Sequence, residues 1–351
     1  MARVVQRVDQ FQYRHSWLGL PVAVAVKFVE DQAGRLAALI AYYAFLSIFP
    51  LLLVLTTTLG FVLAGDPELT NRVMSSALGE FPIIGRKNAP EPLTGSPFAL
   101  TVGLILATWS GTAVARTMQT AADTVYGVPH IRRVGFLTRL VRSIELVAVA
   151  GVGLGATTVL HGLVNETSDY GLHPGVAGTV LVALLGTGAN FLLFSYLFRR
   201  VTTVRLRTRD VLPGAALAAA AWFVLQKLGM DLVNTKIQGA EGTYGVFAVV
   251  IGLLFWFFVL GQITMLCMEI NVVTTQQLWP RSLGTLSGMA TTDADVRAHT
   301  CYITRGQRAR NLTVLTRVGS TSATFAAATA DDTLTPCFDK SVDRPGGTGP
   351  V

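Results

Sequence analysis

LAALIAYYAFLSIFPLLLVLTTTLGFVLA, residues 36–64, is the stretch of this sequence that decides the fold. It runs for 29 residues without a charged side chain, whereas about 20 apolar residues are enough to cross a bilayer as a helix. In a helix, Tyr43, Ser47 and Pro50 fall on one face, because residues three and four positions apart lie above one another. The stretch therefore predicts a membrane-spanning helix whose polar face contacts protein rather than lipid.

The composition of the whole chain is typical of a membrane protein. Of its 351 residues, 51% are hydrophobic and only 14% are charged, with a mean hydropathy of +0.50, against about 25% charged residues in soluble domains. The formal net charge is +7. Because basic residues of bacterial-type membrane proteins gather in cytoplasmic loops, this excess indicates membrane orientation rather than nucleic-acid binding. The composition disfavours an ordinary soluble enzyme.

The distribution of apolar runs predicts an all-α, polytopic protein with six membrane spans. The stretch WLGLPVAVAVKFV within residues 1–35 is too short and too interrupted to span, so we predict an interfacial helix there. Residues 36–273 form the predicted transmembrane domain. Residues 274–351 lose apolar periodicity and are predicted to be a tail that is either largely disordered or only locally helical. The predicted spans cover approximately residues 36–64, 98–115, 144–164, 176–198, 211–228 and 244–273.

The basic residues are concentrated in alternate segments. Lys plus Arg number five in each of 1–35, 116–142 and 199–209, against three, none and one in the intervening loops. By the positive-inside rule, both termini are predicted to be cytoplasmic in a multi-pass inner-membrane protein. The expected partners are the lipid bilayer and its anionic headgroups, which basic side chains near the surface attract. The predicted headgroup contacts are Arg199, Arg200, Arg205, Arg207 and Arg209.

Small residues at four-residue spacing predict where helices pack closely. Gly103, Ala107 and Gly111 recur in the second span, and Gly151 and Gly155 form a GxxxG pair in the third. Small side chains let neighbouring backbones approach within a membrane. We therefore predict helix contacts at these five positions.

Three stretches resemble a known family. They are AALIAYYAFLSIFPLLL at 37–53, MQTAADTVYGVPHIRRVGFLTRL at 118–140 and TYGVFAVVIGLLFWFFVLGQITMLCMEIN at 243–271. In the same order, they are similar to segments of the YihY/BrkB family, bacterial inner-membrane proteins once filed as ribonuclease BN. The resemblance implies a six-span inner-membrane protein with a transport or envelope-related role.

The chain departs from this family pattern just before Glu269. Cys267 and Met268 stand where the family more often has Gly and Ala. Because larger side chains keep helices apart, this departure predicts the loss of a tight helix contact.

Glu269 is the most informative polar side chain of the spans. A carboxylate near the end of an apolar span is costly unless it faces a cavity, pairs with a cation or takes a proton. Either Glu269 lies in an ion or substrate path, with Gln262 on the same face, or it lies at the cytoplasmic headgroup level and orients the helix.

Other polar residues of the spans are candidates for the same path, each with a structural alternative. The tyrosines and serine of the first span either line a cavity or join helices by hydrogen bonds, and its proline either exposes a carbonyl or simply packs. A polar face near position 120 either enters a cavity or is a solvated helix end. The candidates for the path are Glu269, Gln262, Tyr42, Tyr43, Ser47, Pro50, Asn190, Arg116 and Asp123.

Two functional hypotheses remain. The first is a transporter or permease for an ion or a small or amphipathic solute, and the second is a non-transporting envelope scaffold that binds anionic lipids. A cavity that reaches Glu269 and is lined by Tyr43 and Ser47 favours the first, and a solidly packed bundle favours the second. The five histidines are far apart and form no metal pattern, so we expect no nuclease or other enzyme activity, no catalytic residues and no cofactor. A homo-oligomer is compatible with either hypothesis.

Overall fold

The computed structural model of the chain describes residues 16–62, 97–169, 176–232, 238–282, 292–308, 314–318 and 321–325. All of its long elements are helices, which confirms the all-α prediction for the apolar part of the chain. The short helix α1 comprises Ser16–Glu30. The segments predicted as spans lie in α2 Ala33–Val62, α3 Pro97–Val125, α4 Phe136–Asp169, α5 Val176–Val201, α6 Thr208–Leu232 and α7 Gln238–Gln276.

Four of these helices contain a stretch long and apolar enough to cross a membrane, within the part of the chain that the structure describes. The stretches are Ala33–Thr58 in α2, Phe136–Thr157 in α4, Thr208–Gln226 in α6 and Val250–Gln276 in α7. At about 1.5 Å per residue, each can cover most or all of the hydrocarbon layer. The chain is therefore a membrane protein.

The six long helices form a closed ring. Each packs against the next along the chain, and α7 completes the ring by packing against α2, while α3 contacts both α5 and α7. The α2–α7 contact is close, since a Cβ built on Gly261 would lie 2.9 Å from the carbonyl oxygen of Ala37. The α6–α7 contact is closer still, since a Cβ built on Gly214 would lie 2.3 Å from the carbonyl oxygen of Cys267. The predicted loss of a tight contact near Cys267 is therefore wrong, because the glycine is supplied by α6.

The predicted packing positions divide between the helices. Gly103 lies against Leu53 and Val54 of α2. Gly111 lies against Val147 of α4. Ala107, between these two on α3, is half-buried. These contacts agree with the predicted seam on α3.

The predicted seam on α4 is displaced. A Cβ added at Gly151 or Gly155 would meet nothing within 4 Å among the described residues. Gly153, between them, would instead place its Cβ 2.6 Å from Leu193 of α5. The contact between α4 and α5 that the structure describes is therefore made by the middle glycine, and helix contacts at Gly151 and Gly155 stay a prediction.

The polar face predicted for α2 does not face protein. Tyr42 is 53% exposed and Tyr43 is 36% exposed on the outside of the ring. Ser47 donates within its own helix to the carbonyl of Ala44 at 2.8 Å, and Pro50 is half-buried. The face that packs inward is made mainly of small residues, because these allow α7 to approach closely. Its fully buried hydrophobic members are Ala33, Ala37, Ile40, Ala41 and Ile48.

The tail contains more structure than predicted. Helix α8, Asp293–Thr304, begins with a capping box in which Thr292 and Asp295 bond each other's backbone amides. Two strands follow, β1 Val314–Val318 and β2 Thr321–Phe325, paired antiparallel with Val314 opposite Phe325. Local helical structure was one of the two alternatives predicted for the tail, and α8 is such a helix, whereas the strand pair was not predicted. The rest of 283–351 lies outside the described residues.

Candidate functional site: a buried charge network at one end of the bundle

The network lies where α1, α2, α3, α7 and α8 come together. Helix α3 ends in a Schellman motif, in which the amide of Val128 bonds the carbonyl of Asp123 at 2.8 Å and that of Gly127 bonds Thr124 at 3.1 Å. Gly127 has a φ of 65°, a left-handed conformation that favours glycine. The turn leaves the carbonyl of Val125 directed at α1, and partial negative charge at a helix C-terminus attracts cations.

Lys27 of α1 is the centre of the network. Its ammonium donates to the Val125 carbonyl at 2.8 Å and to the carboxylate of Asp31. Its Nζ also lies 2.9 Å from Oε2 of Glu269, an ion pair whose angles fall outside hydrogen-bond geometry. Burial disfavours the charged ammonium, but the carboxylates of Glu269 and Asp31 outweigh this and hold the pKa of Lys27 above its ordinary value.

Arg305, just after α8, completes a chain of alternating charges. Its Nη1 lies 2.8 Å from Oδ1 of Asp31 and 3.4 Å from the Thr124 carbonyl. The order is Arg305, Asp31, Lys27 and Glu269, so two positive groups balance two negative ones. Pairing of this kind is what allows charges to remain inside a protein.

Glu269 lies deepest in this chain. Its side chain is 0% exposed, and its Oε1 has no hydrogen-bond partner among the described residues. A buried carboxylate oxygen without a donor is costly, so such a group marks a candidate functional position. The nearby Asn271 differs, since it accepts from the Gly214 amide at 2.7 Å and donates to the Tyr126 hydroxyl at 3.4 Å. Both polar atoms of Asn271 therefore have a partner, whereas Oε1 of Glu269 has none among the described residues.

A small cavity borders the network. It has a volume of about 20 Å³ and is lined by Lys27, Asp31, Gln276 and Arg305, among others. This is room for one or two water molecules. The side-chain nitrogen of Gln276 is buried there without a hydrogen-bond partner in the described part of the chain. The cavity can therefore hold water or a small ion, but nothing larger without a movement of α1 or α8.

A second network of ion pairs joins α1 to α8. The guanidinium of Arg281 contacts both oxygens of Glu30, at 2.8 and 3.0 Å, and Oδ1 of Asp295 at 3.1 Å. Glu30 ends α1, and Asp295 lies in the first turn of α8. Because a bidentate arginine fixes the orientation of its partner, Arg281 holds α1 and α8 side by side.

The predicted path residues of the first and last spans are not gathered around Glu269. Tyr42 and Tyr43 are exposed and Ser47 is half-buried on α2, and none of them lines the cavity beside Lys27 in the described part of the chain. Gln262 is half-buried on α7 and approaches Gly34, at 3.6 Å from a Cβ built there.

The polar face of α3 is neither a path nor a solvated end. Arg116 donates to the carbonyl of Thr112 in its own helix at 3.2 Å. Asp123 is buried and binds Arg139 at 3.1 Å and the amide of Thr203 at 2.8 Å. Asp123 thus joins α3 to the start of α4 and to the α5–α6 connection, which is a packing role that sequence spacing did not indicate.

Asn190 of α5 stands apart from the network. Its side chain is 5% exposed, and its oxygen has no hydrogen-bond partner within the described residues. It is therefore a buried polar group of α5, as predicted from the sequence, but the structure places it at no cavity that we describe.

Sequence reasoning missed Lys27, Asp31 and Arg305. The four-residue spacing of Lys27 and Asp31 was a usable signal, because such residues meet along a helix. Arg305 gave no signal, since 274 positions separate it from Asp31. No group of three or more His, Cys, Asp or Glu that could hold a metal ion is found among the described residues.

The predicted headgroup arginines differ in their surroundings. Arg200 pairs with both oxygens of Glu145, at 2.8 and 2.5 Å, and Arg199 donates to Thr208 at 3.1 Å. The other three, Arg205, Arg207 and Arg209, are exposed.

Comparison with known proteins finds relatives among bacterial membrane proteins. The chain is 24% identical to the inner membrane protein YhjD of Escherichia coli (strain K12), over 69% of this chain and 76% of the relative. It is 26% identical to the putative ribonuclease-like protein YfkH of Bacillus subtilis (strain 168), over 70% of this chain and 92% of that relative. A UPF0761 membrane protein of Psychrobacter sp. (strain PRwf-1) is 23% identical over 77% of this chain and 51% of that relative. No solved structure matches the chain.

A family model covers the greater part of the sequence. The model described as virulence factor BrkB matches residues 24–285. This range contains all six long helices and the charged residues Lys27, Asp31, Glu269 and Arg281. It is also the family that the three sequence stretches resemble. The chain therefore belongs to the BrkB family of membrane proteins.

Proposed function

We propose that this protein is a transporter of an ion or small solute in the bacterial inner membrane, with the charge network as its closed inner gate. The observation that carries the proposal is Glu269, a wholly buried carboxylate in a long apolar helix. Ionisable groups inside membrane spans are costly and mark ion or substrate paths. The cation that neutralises Glu269 comes from Lys27 of α1, which lies outside the candidate spans.

The distribution of charge supports six spans with both termini in the cytoplasm. The α1–α2, α3–α4 and α5–α6 connections and the α7 end lie at the network end of the helices. The basic residues there outnumber those at the opposite end, where the described helix ends contain Lys227 alone. By the positive-inside rule, the network end faces the cytoplasm. The relative named as an inner membrane protein supports the same location.

The gate opens, in this proposal, by exchange of cations at Glu269. If α1 moves away, Lys27 leaves with it, and Glu269 must take another cation or a proton, because an unpaired buried carboxylate is strongly disfavoured. A ligand that supplies this charge stabilises the open arrangement by its preference for it. Asp31 remains neutralised by Arg305, so the exchange alters one charge only.

The alternative is a non-transporting envelope scaffold. It is favoured by the packing at the network end, where the cavity of about 20 Å³ has no room for a solute. The exposure of Tyr43 at the outer surface of α2 agrees with it too. The name of the Bacillus relative refers to ribonuclease chemistry in that protein. Our expectation that the present chain is not an enzyme stays a prediction.

Flux measurements separate the two functions. The purified protein is reconstituted in proteoliposomes and tested against a panel of monovalent cations and protons, beside empty vesicles. Glu269→Gln should abolish flux, because the amide cannot bind a cation or proton in place of Lys27. Glu145→Gln is the matched control, since that carboxylate lies on the exposed side of α4 and pairs with Arg200. Equal signals from wild type, both variants and empty vesicles would refute transport of the tested ions and leave the scaffold.

A further inference from the structure

Two basic loops of this protein lie side by side. Asp123, at the end of α3, accepts from Arg139 of α4 at 3.1 Å and from the Thr203 hydroxyl at 3.1 Å through the same oxygen, Oδ2. Its other oxygen accepts from the Thr203 amide at 2.8 Å. One buried carboxylate thus joins the start of α4 to the α5–α6 connection. The arginines of the two loops therefore belong to a single surface.

The α5–α6 connection is folded so that its arginines point outward. Val204 and Leu206 are buried, while Arg205 and Arg207 between and after them are exposed. This alternation is that of an extended segment, in which successive side chains point to opposite sides. Because the two apolar side chains are anchored in the core, the arginines are held at the surface.

Internal carboxylates neutralise only part of this positive charge. Arg139 is paired with Asp123, and Arg200 is paired with Glu145. Four further arginines are exposed and form no ion pair with a carboxylate of the described residues. We define this group as the basic rim: Arg199, Arg205, Arg207 and Arg209.

Apolar side chains accompany the basic surface. Phe136 is 70% exposed and Leu137 is 72% exposed in the first turn of α4. They begin the candidate span Phe136–Thr157, and Arg139 and Arg142 follow within two turns, so the start of α4 has the mixed apolar and basic character of a helix at the membrane interface. The rim, held beside the start of α4 through Asp123, therefore lies near the depth of the lipid phosphates.

We propose that the basic rim is a binding site for the phosphate headgroups of anionic phospholipids in the cytoplasmic leaflet. Guanidinium groups match phosphate oxygens through paired hydrogen bonds, and the four of the basic rim have no carboxylate partner in the described segments. The site is separate from the Glu269 network, so it stands whether or not the protein transports a solute. Arg200 is not part of this site in the wild type, because its guanidinium is paired with the carboxylate of Glu145.

Native mass spectrometry of the intact protein in neutral detergent tests the site. Retention of added phosphatidylglycerol is compared with that of phosphatidylcholine at several salt concentrations. Wild type should bind phosphatidylglycerol more tightly, and binding should weaken with salt because exposed charges are screened. Each basic residue near an anionic surface contributes about 1 kcal/mol, or about fivefold in affinity. The triple variant Arg205→Gln, Arg207→Gln, Arg209→Gln should therefore bind on the order of 100-fold more weakly.

Two further variants keep the proposal falsifiable. The triple variant Arg35→Gln, Arg297→Gln, Arg308→Gln removes the same net charge from other segments and should bind as wild type does. Glu145→Gln releases Arg200 and should tighten phosphatidylglycerol binding about fivefold, a gain that misfolding cannot imitate.

Four results would overturn the assignment. These are equal retention of the two lipids, equal loss in both triple variants, no gain in Glu145→Gln, and displacement of the lipid by inorganic phosphate or a short RNA at equal concentration. The last would indicate a general polyanion surface rather than a lipid site.

Discussion

Removal of the Lys27 charge should destabilise the protein, and removal of the Glu269 charge in the same molecule should restore most of the loss. In the wild type, two positive and two negative groups balance: Arg305 and Lys27 against Asp31 and Glu269. Lys27→Met keeps an unbranched side chain of similar length but leaves one buried negative charge without compensation. The double variant Lys27→Met, Glu269→Gln is balanced again, because Asp31 keeps Arg305 at 2.8 Å.

The size of the effect follows from the burial of the partners. Glu269 is 0% exposed, and the loss of one partner of a buried ion pair costs about 3–5 kcal/mol. At about 2 °C per kcal/mol, the apparent melting midpoint of Lys27→Met should fall by about 6–10 °C. Glu269→Gln alone should cost less, since Lys27 keeps Asp31 and the Val125 carbonyl. The double variant should lie within about 2 kcal/mol of wild type, with the residual cost set by the lost Val125 hydrogen bond.

Thermal unfolding in one neutral detergent, followed by intrinsic fluorescence, measures all four proteins of this cycle. The coupling between the two positions is the quantity of interest, because it isolates their pairwise interaction. A double variant as unstable as the sum of the two single variants would refute the charge balance described here. An Lys27→Met protein with the same melting midpoint as wild type would refute it too, since the charge of Glu269 would then need no compensation from Lys27.

Three further outcomes are expected. Gly214→Ala should lower the melting midpoint by the equivalent of about 1–3 kcal/mol or more, because the new Cβ would lie 2.3 Å from a carbonyl oxygen of α7. Gly151→Ala, whose new Cβ meets none of the described residues within 4 Å, should have a stability within about 0.5 kcal/mol of wild type. Equal effects of the two substitutions would contradict the helix register. Asp123→Ala should speed amide hydrogen exchange at Thr203 by tenfold or more, because the amide loses its 2.8 Å acceptor, and unchanged exchange would show that the loop is held otherwise. Burial and nearby guanidinium groups hold the pKa of His130 below its ordinary 6.5. The contribution of His130 to stability should therefore be largest above pH 6.5 and fall as the pH drops through that value toward the lower folded pKa. Melting midpoints measured from pH 5 to 8 should lose this pH dependence in His130→Asn, and a pH dependence that persists would assign it to another group.

The predictions that succeeded rest on patterns within one segment. The uncharged run at 36–64 lies mostly in α2, and the small residues of α3 pack where their spacing indicated. The predictions that failed concern which face of a helix is turned inward. Tyr43 was assigned to the protein side because it is polar, but Ala37 and its neighbours occupy that side because small residues let α7 come closer. Likewise the spacing of Gly151 and Gly155 did not point to Gly153, which is the glycine that meets Leu193 of α5.

What the sequence determines by itself is the kind of protein: long uncharged runs make helices in a membrane obligatory, since only intrahelical hydrogen bonds satisfy the backbone there. Its three resembling stretches determine the family as well. What only the tertiary structure decides is the pairing of charges. Lys27 meets Glu269 from a distant helix, and Asp31 meets Arg305 across 274 positions. The periodicity of a sequence indicates the helix face on which a residue lies, but it does not indicate which distant residue that face contacts. Buried charges need partners of opposite sign, and the fold determines which residues these are.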